Sequence, residues 1–482
     1  MLDPDTCYRA LRTRDARFDG RFFTAVRSTG VYCRPVCPAR TPRRENCLFL
    51  PCAAAAQEAG YRPCLRCRPE ASPGTPAWLG TSATVSRGLR LIADGALDTG
   101  GIDDLAARLG IGARHLRRLF LSHLGATPQA VAHTRRVLFA KQLIDETRLP
   151  MAQVAFAAGF SSVRRFNTAL RDAYGRPPRE LRRSGRAAKN GDGRELTLRL
   201  PYRPPLDFPA LLAFFAPRAT PGVEAVNADS YRRTLTLDGA RGSVEIRAES
   251  DARRLVARVR LDRPAPLIGL SERLRRIFDL GADPAEIAAD LQRDRRLASR
   301  LRRQPGVRVP GAWDGFELAV RAILGQQVSV AGATTLAGRL VAAYGEPAPD
   351  CGDPELGLLF PTAEALTDAD PARLGVPRTR GAAIAAVARS VAGGELRLDG
   401  SANLEDSLAQ LQELPGIGPW TAQLIAMRAL GEPDALPAGD LGLRRSLGRA
   451  GKLASAAEVE ARAEAWRPWR AYGAMLFWGQ AR

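Results

Sequence analysis

Leu411-Gln412-Glu413-Leu414-Pro415-Gly416-Ile417-Gly418-Pro419-Trp420-Thr421-Ala422 reads as the end of one helix, a glycine hairpin and the start of a second helix. Gly416 and Gly418 allow close backbone approach, and the free N–H groups that open the second helix suit a phosphate. Pro-Gly-Ile-Gly alone would describe an ordinary turn between helices. Leu411, Leu414, Thr421 and Ala422 around it extend the pattern.

With those flanks the segment matches the helix-hairpin-helix motif, which holds DNA without reading its sequence. About twenty residues on stands Leu436-Pro437-Ala438-Gly439-Asp440-Leu441-Gly442-Leu443-Arg444-Arg445. Asp440 at the head of a helical run is by itself an N-cap. Just downstream of such a hairpin, one buried carboxylate can also stabilise an oxocarbenium-like sugar and orient an attacking water.

Upstream, alternating apolar and polar residues at 196–200, 234–237 and 244–247 suggest strands, and helical periodicity takes over from about Leu267. Two further stretches are Phe316-Glu317-Leu318-Ala319-Val320-Arg321-Ala322-Ile323-Leu324-Gly325-Gln326-Gln327-Val328-Ser329 and Trp466-Arg467-Pro468-Trp469-Arg470-Ala471-Tyr472. From roughly Leu196 to the end, the chain resembles the AlkA-type 3-methyladenine DNA glycosylases. The resemblance implies that Asp440 is the catalytic aspartate and that Trp420, Trp478 and Phe214 form an aromatic pocket for a cationic alkylated purine. Core packing remains the alternative for each ring. Two positions depart from the family: Gln327 stands where a leucine wedge fills the gap left by the flipped base, and Leu424 replaces a pocket aromatic. Strand-cleaving relatives carry a Schiff-base lysine where Trp420 stands, and this region's only lysine is Lys452, so a monofunctional enzyme is expected. Cys351 is its sole cysteine, which excludes a four-cysteine iron–sulfur loop.

The middle of the chain carries two units of helix, glycine turn and Arg-rich helix, at 102–120 and 151–172. Arg114 and Arg117 lie on the second helix of the first unit, and Arg164 and Arg165 on that of the second. Their spacing resembles the AraC-type DNA-binding domain. His115, His123 and His133 all fall here without a nearby acid or cysteine, and surface or phosphate-facing roles suit them better than metal binding.

Seven of the eight cysteines precede residue 70. Cys33-x3-Cys37 and Cys64-x2-Cys67 supply two close pairs, the arrangement that presents four sulfurs to a tetrahedral Zn²⁺. Cys7, Cys47 and Cys52 lack that spacing and read as buried thiols. A structural zinc ribbon accounts for the spacing alone. Arg34, Arg40, Arg43, Arg44, Arg62, Arg66 and Arg68 crowd the ligands, however, so a phosphate could lie beside a nucleophilic thiolate. Phe18-Asp19-Gly20-Arg21-Phe22-Phe23, Thr29-Gly30-Val31-Tyr32-Cys33-Arg34-Pro35-Val36-Cys37-Pro38-Ala39-Arg40 and Arg62-Pro63-Cys64-Leu65-Arg66-Cys67 closely resemble the N-terminal domain of the Ada DNA-repair regulators. That resemblance implies that Cys33 takes a methyl group from a methylphosphotriester while Cys37, Cys64 and Cys67 complete the site. Four thiolates on Zn²⁺ carry a net charge of about −2, and methylating one leaves about −1, which relieves repulsion toward phosphate.

The 482 residues, 45% of them hydrophobic, can fill several cores, and 71 Lys+Arg against 51 Asp+Glu favour a polyanionic partner. No apolar run reaches the roughly 20 residues of a membrane span, and no signal peptide opens the chain, so a cytoplasmic protein is expected. Pro- and Gly-rich stretches at 69–76 and 182–194 read as linkers. The expected fold is multidomain α+β. A small zinc-bound α/β head occupies 1–72 and an all-α tandem helix-turn-helix domain 80–184. A glycosylase at 195–482 follows, with a small antiparallel sheet at 195–265 and a helical body at 266–482. Expected partners are double-stranded DNA, both alkylated and operator, and RNA polymerase, with no membrane and a monomeric state. The expected function joins excision of alkylated bases with methylation sensing. The alternative is a transcription regulator whose C-terminal body only holds DNA. No Pro-Cys-His-Arg motif is present, so direct reversal of O6-alkylguanine is not expected.

Overall fold

A computed structural model describes residues 2–76, 83–182, 195–350, 352–448 and 452–478. Cys351 and most of the second expected linker therefore lie outside the described residues.

The head is a four-stranded sheet in the order Cys47–Leu50, Phe23–Val26, Val31–Cys33, Arg62–Pro63. The last pair is parallel, and its register sets Tyr32 opposite Pro63, so Cys33 and Cys64 emerge side by side. Phe23, Ala25, Tyr32, Ala53 and Ala56 form the small core behind it.

The two helix-turn-helix units run Ile102–Arg108 with Ala113–Leu124, and Met151–Ala157 with Val163–Tyr174. In both turns a glycine takes the left-handed conformation, Gly110 at φ +70° and Gly159 at φ +79°, where a Cβ would be strained. The 19-residue helix Pro128–Glu146 joins the units; Thr127 caps it through Ala130 N–H at 3.2 Å.

The third part opens with a five-stranded antiparallel sheet in the order Glu195–Pro201, Arg254–Leu261, Ala240–Glu249, Ser230–Leu237, Glu224–Val226. Phe215, Tyr231 and Phe278 meet edge to face or tilted on it, with centroids 5.3 to 5.8 Å apart. Helices follow from Leu267–Ile277 onward, and Gly315–Leu324, Leu404–Glu413 and Pro419–Arg428 enclose a second core around Ile323, Leu411 and Ile425.

The expected linker at 69–76 is not a free tether. Pro69–Ala71 forms a helical turn with Pro69 and Glu70 buried. Pro73 O accepts from Arg275, and Gly74 O accepts from Arg203, itself fully buried. The three parts are further joined by Arg21–Asp283 at 3.0 Å, Arg108–Asp399 at 2.8 Å and Gln142 Nε2 donating to Arg199 O at 2.8 Å. Buried Lys141 pairs with Asp145 at 2.6 Å and lies 3.7 Å from Glu70 of the head. No helix among the described residues is long and apolar enough to cross a membrane.

Candidate active site and metal centre

Asp440 is the N-cap of Leu441–Leu447, its Oδ1 accepting from Leu443 N–H at 3.0 Å. Capping occupies only part of its carboxylate. Trp478 Nε1 donates to Oδ1 at 2.8 Å and Trp420 Nε1 to Oδ2 at 3.3 Å. Three donors therefore converge on one half-buried carboxylate, whose oxygens accept all of them. Trp420 is the second residue of Pro419–Arg428 and Trp478 the last of Arg470–Trp478, so two helices fix the carboxylate from opposite ends of the sequence segment.

The hairpin lies directly beside this group. Gly416 sits at φ +82°, and Gly418 caps the second helix with open space at its Cβ position. Gln326 Nε2 donates to Gly416 O at 2.8 Å and Thr421 Oγ1 at 3.0 Å, tying the loop after Gly315–Leu324 to the hairpin. Gln423 Oε1 accepts from Leu436 N–H at 2.9 Å and ties the hairpin helix to the Asp440 loop. Gln327 is exposed at φ +54° at the tip of the first loop. Leu424 turns toward the core around Ile323 and Ile425. Lys452 is exposed beyond the Asp440 helix.

Phe214 packs between the sheet core and the helical core. Its ring carries two guanidinium groups, Arg218 Cζ at 4.1 Å and Arg428 Cζ at 5.0 Å from the centroid. Burial lowers the pKa of both, and for Arg218 the charge of Asp440 works against that fall. Neither arginine stood out in the sequence; Arg218 lies four residues after Phe214 and is the one signal there was. Behind them Arg233 and Arg321 are neutralised by Glu224 and Glu317, a buried network that holds the sheet on the helical body.

In the head, Cys33, Cys37, Cys64 and Cys67 are all buried, and their four Sγ atoms lie within 4.8 Å of one another. Zn–S bonds of about 2.3 Å in a tetrahedron place sulfurs roughly 3.8 Å apart, a spacing that a cluster within 4.8 Å accommodates. Arg34 N–H donates to Cys67 Sγ at 3.4 Å. Arg34, expected at a phosphate, is instead turned inward: its Nε meets Asp19 Oδ1 at 3.0 Å and its NH1 meets Cys67 O at 3.1 Å. The buried Asp19 carboxylate and Arg34 form an ion pair, and the guanidinium braces the Cys67 turn. Arg40, Arg43 and Arg44 remain exposed, as do Arg114, Arg117, Arg164 and Arg165 on the helices that follow each glycine turn. Cys7, Cys47 and Cys52 are buried away from the cluster, and burial pushes each thiol pKa up. Exposed His115 Nδ1 lies 3.0 Å from Arg118, and burial depresses His133.

Comparison with known proteins follows the same division. The metal binding domain of Ada matches residues 6–70, a helix-turn-helix domain 105–184, the AlkA N-terminal domain 197–314, and the HhH-GPD superfamily of base excision DNA repair proteins 320–471. The "probable bifunctional transcriptional activator/DNA repair enzyme AlkA" of Mycobacterium tuberculosis (strain CDC 1551 / Oshkosh) is 45% identical over 479 residues, covering 99% of this chain and 96% of that protein. DNA-3-methyladenine glycosylase 2 of Escherichia coli K12 is 35% identical over 285 residues, 58% of this chain and 95% of that one. The solved 3-methyladenine DNA glycosylase of Archaeoglobus fulgidus superposes with a TM-score of 0.52 at 26% identity, covering 58% of this chain and 97% of its own. The chain thus belongs to the family of bifunctional transcriptional activator/DNA repair enzymes that join an Ada-type methyl-transfer and helix-turn-helix regulatory part to an AlkA-type DNA glycosylase.

Proposed function

We propose that the C-terminal body is a monofunctional glycosylase that hydrolyses the N-glycosidic bond of alkylated bases such as 3-methyladenine, with Asp440 as its catalytic carboxylate. The observation that carries this is the single carboxylate held by two indole N–H groups and a helix N–H beside a glycine hairpin. The Asp440 carboxylate lies against the sugar of an everted nucleotide, stabilises positive charge developing at C1′ and takes the proton of the attacking water. Gly416 and Gly418 let the strand approach the hairpin backbone. Trp420 and Trp478 wall the base, and Gln327 meets the duplex from the neighbouring loop. With Trp420 at the hairpin helix and Lys452 exposed elsewhere, no lysine among the described residues is at hand for an imine.

In the head, Cys33, Cys37, Cys64 and Cys67 would hold one zinc ion. Bound there, the ion keeps its sulfurs as thiolates at neutral pH. Cys33 Sγ attacks the methyl carbon of a backbone methylphosphotriester; the S–C bond forms, the C–O bond breaks, and the electron pair leaves with the phosphate oxygen as a diester. Cys67 receives the Arg34 N–H, which draws charge from that sulfur and leaves it a poorer nucleophile. One negative charge is lost from the cluster, and exposed Arg40, Arg43 and Arg44 then hold DNA against less repulsion. Arg114, Arg117, Arg164 and Arg165 would read an operator from a domain spanning 80–184, between a 1–72 head and a 195–482 glycosylase, in a cytoplasmic monomer that engages RNA polymerase.

Base release from methylated duplex DNA by wild type and Asp440→Asn in parallel tests the first activity. The variant should release no 3-methyladenine while keeping its DNA affinity. A wild type that releases no base overturns the excision reading in favour of a purely regulatory one. Labelled-methyl transfer from DNA, lost in Cys33→Ser, tests the second.

A further inference from the structure

The Phe214 ring was expected to stack on a cationic base, yet cations already lie on it. Arg428 is held by the carbonyls of Pro310 at 2.8 Å and Gly311 at 3.2 Å. Arg218 donates to Phe214 O at 2.9 Å. Neighbouring Arg321 takes Glu224 at 2.8 Å and Glu317 at 2.9 Å. Among the described residues, Arg218 and Arg428 are left with no carboxylate within 4 Å.

Arg218 belongs to the site by position. It closes the turn Ala216–Arg218, whose Pro217 O accepts from Thr334 Oγ1 at 2.9 Å on the helix Val330–Tyr344. That helix begins directly after the Gln326 to Ser329 loop that is tied to the hairpin. The carboxylate whose charge supports its protonated state is that of Asp440.

The sign of a charge at the base decides which lesions leave easily. When the C1′–N bond breaks, its electron pair goes to the base. A cationic N-alkylated purine departs neutral and gains nothing from a neighbouring cation, whereas a base that is neutral in the duplex departs as an anion. We infer that Arg218 faces the everted base as a specificity-determining residue, favouring lesions that are neutral in the duplex by donating to the departing anion. Water adds hydroxide to C1′ and gives its proton to Asp440, from which solvent removes it; the base anion takes a proton from solvent after release.

The inference rests on the glycosylase reading of Asp440, and its test separates the two. Single-turnover release is measured with the full-length protein on duplexes carrying one hypoxanthine, which is neutral, or one 7-methylguanine, which is cationic. Arg218→Gln should slow hypoxanthine release at least tenfold while leaving 7-methylguanine release unchanged or faster, and Arg218→Lys should recover part of the hypoxanthine rate. An equal loss on both bases, as a purely structural role would give, overturns the inference, as does an unchanged hypoxanthine rate or a wild type that releases only 7-methylguanine. A wild type that releases neither base overturns the glycosylase reading and this inference with it.

Discussion

Trp478 Nε1 donates to Asp440 Oδ1 at 2.8 Å, joining the last described helix to the cap of Leu441–Leu447. The bond orients the carboxylate independently of the hairpin. Trp478→Phe keeps an aromatic ring, smaller than the indole, and deletes the donor. A hydrogen bond to a charged group contributes roughly 1.5–3 kcal/mol, so base release should slow about tenfold to a hundredfold. Single-turnover assays on methylated DNA check this, and a wild-type rate would remove the indole from the mechanism.

The two hairpin glycines should separate folding from binding. At Gly416, φ +82° and a Cβ position 2.9 Å from Ala383 Cβ mean that Gly416→Ala strains the turn, costing about 1–2 kcal/mol. At Gly418, φ −87° and open space accommodate a methyl group, so Gly418→Ala should melt like wild type yet bind duplex DNA more weakly. Paired melting curves and DNA titrations decide it.

Asp279 predicts a pH effect on stability. Its carboxylate accepts from Tyr472 at 2.8 Å and Val309 N–H at 3.1 Å, and burial pushes its pKa up from 3.8 to about 6. The folded protein keeps a proton that the unfolded chain has released, so the contribution is full below about pH 4 and is lost as pH rises through 6. The difference corresponds to roughly 3 kcal/mol. Asp279→Asn should therefore melt near wild type at pH 4 and above it at pH 7.5; a gap equal at both pH values would rule out this assignment.

Stripping the metal should expose a defined set of thiols. Four clustered cysteines depend on the ion, while Cys7, Cys47 and Cys52 are covered by packing. With a strong chelator, a disulfide-exchange reagent should titrate four additional thiols before the remaining ones react on unfolding. Equal reactivity with and without chelator would argue against a bound ion.

Much of this was legible because the relevant patterns are local. The hairpin, the Asp440 cap and the two glycine turns each depend on neighbours a few residues away, and the helix-turn-helix units end two to four residues beyond the expected 120 and 172, at Leu124 and Tyr174. The direction of Arg34 was not legible, since Asp19 claims it across a sheet. Nor was the stretch at 69–76, whose Pro and Gly content suggested slack. Its anchors are carbonyl oxygens, which every residue carries, and the arginines that seize them lie far along the chain. Arg218 escaped notice because nothing local distinguishes a guanidinium with a carboxylate partner from one without.

That anchored stretch reaches beyond stability. Because Arg203 and Arg275 clasp it, the span from the four-cysteine cluster to Asp440 is a property of the protein rather than of a swinging leash. On the proposed roles of Cys33 and Asp440, backbone and base damage on one double helix would be served together only when their spacing matches that fixed span.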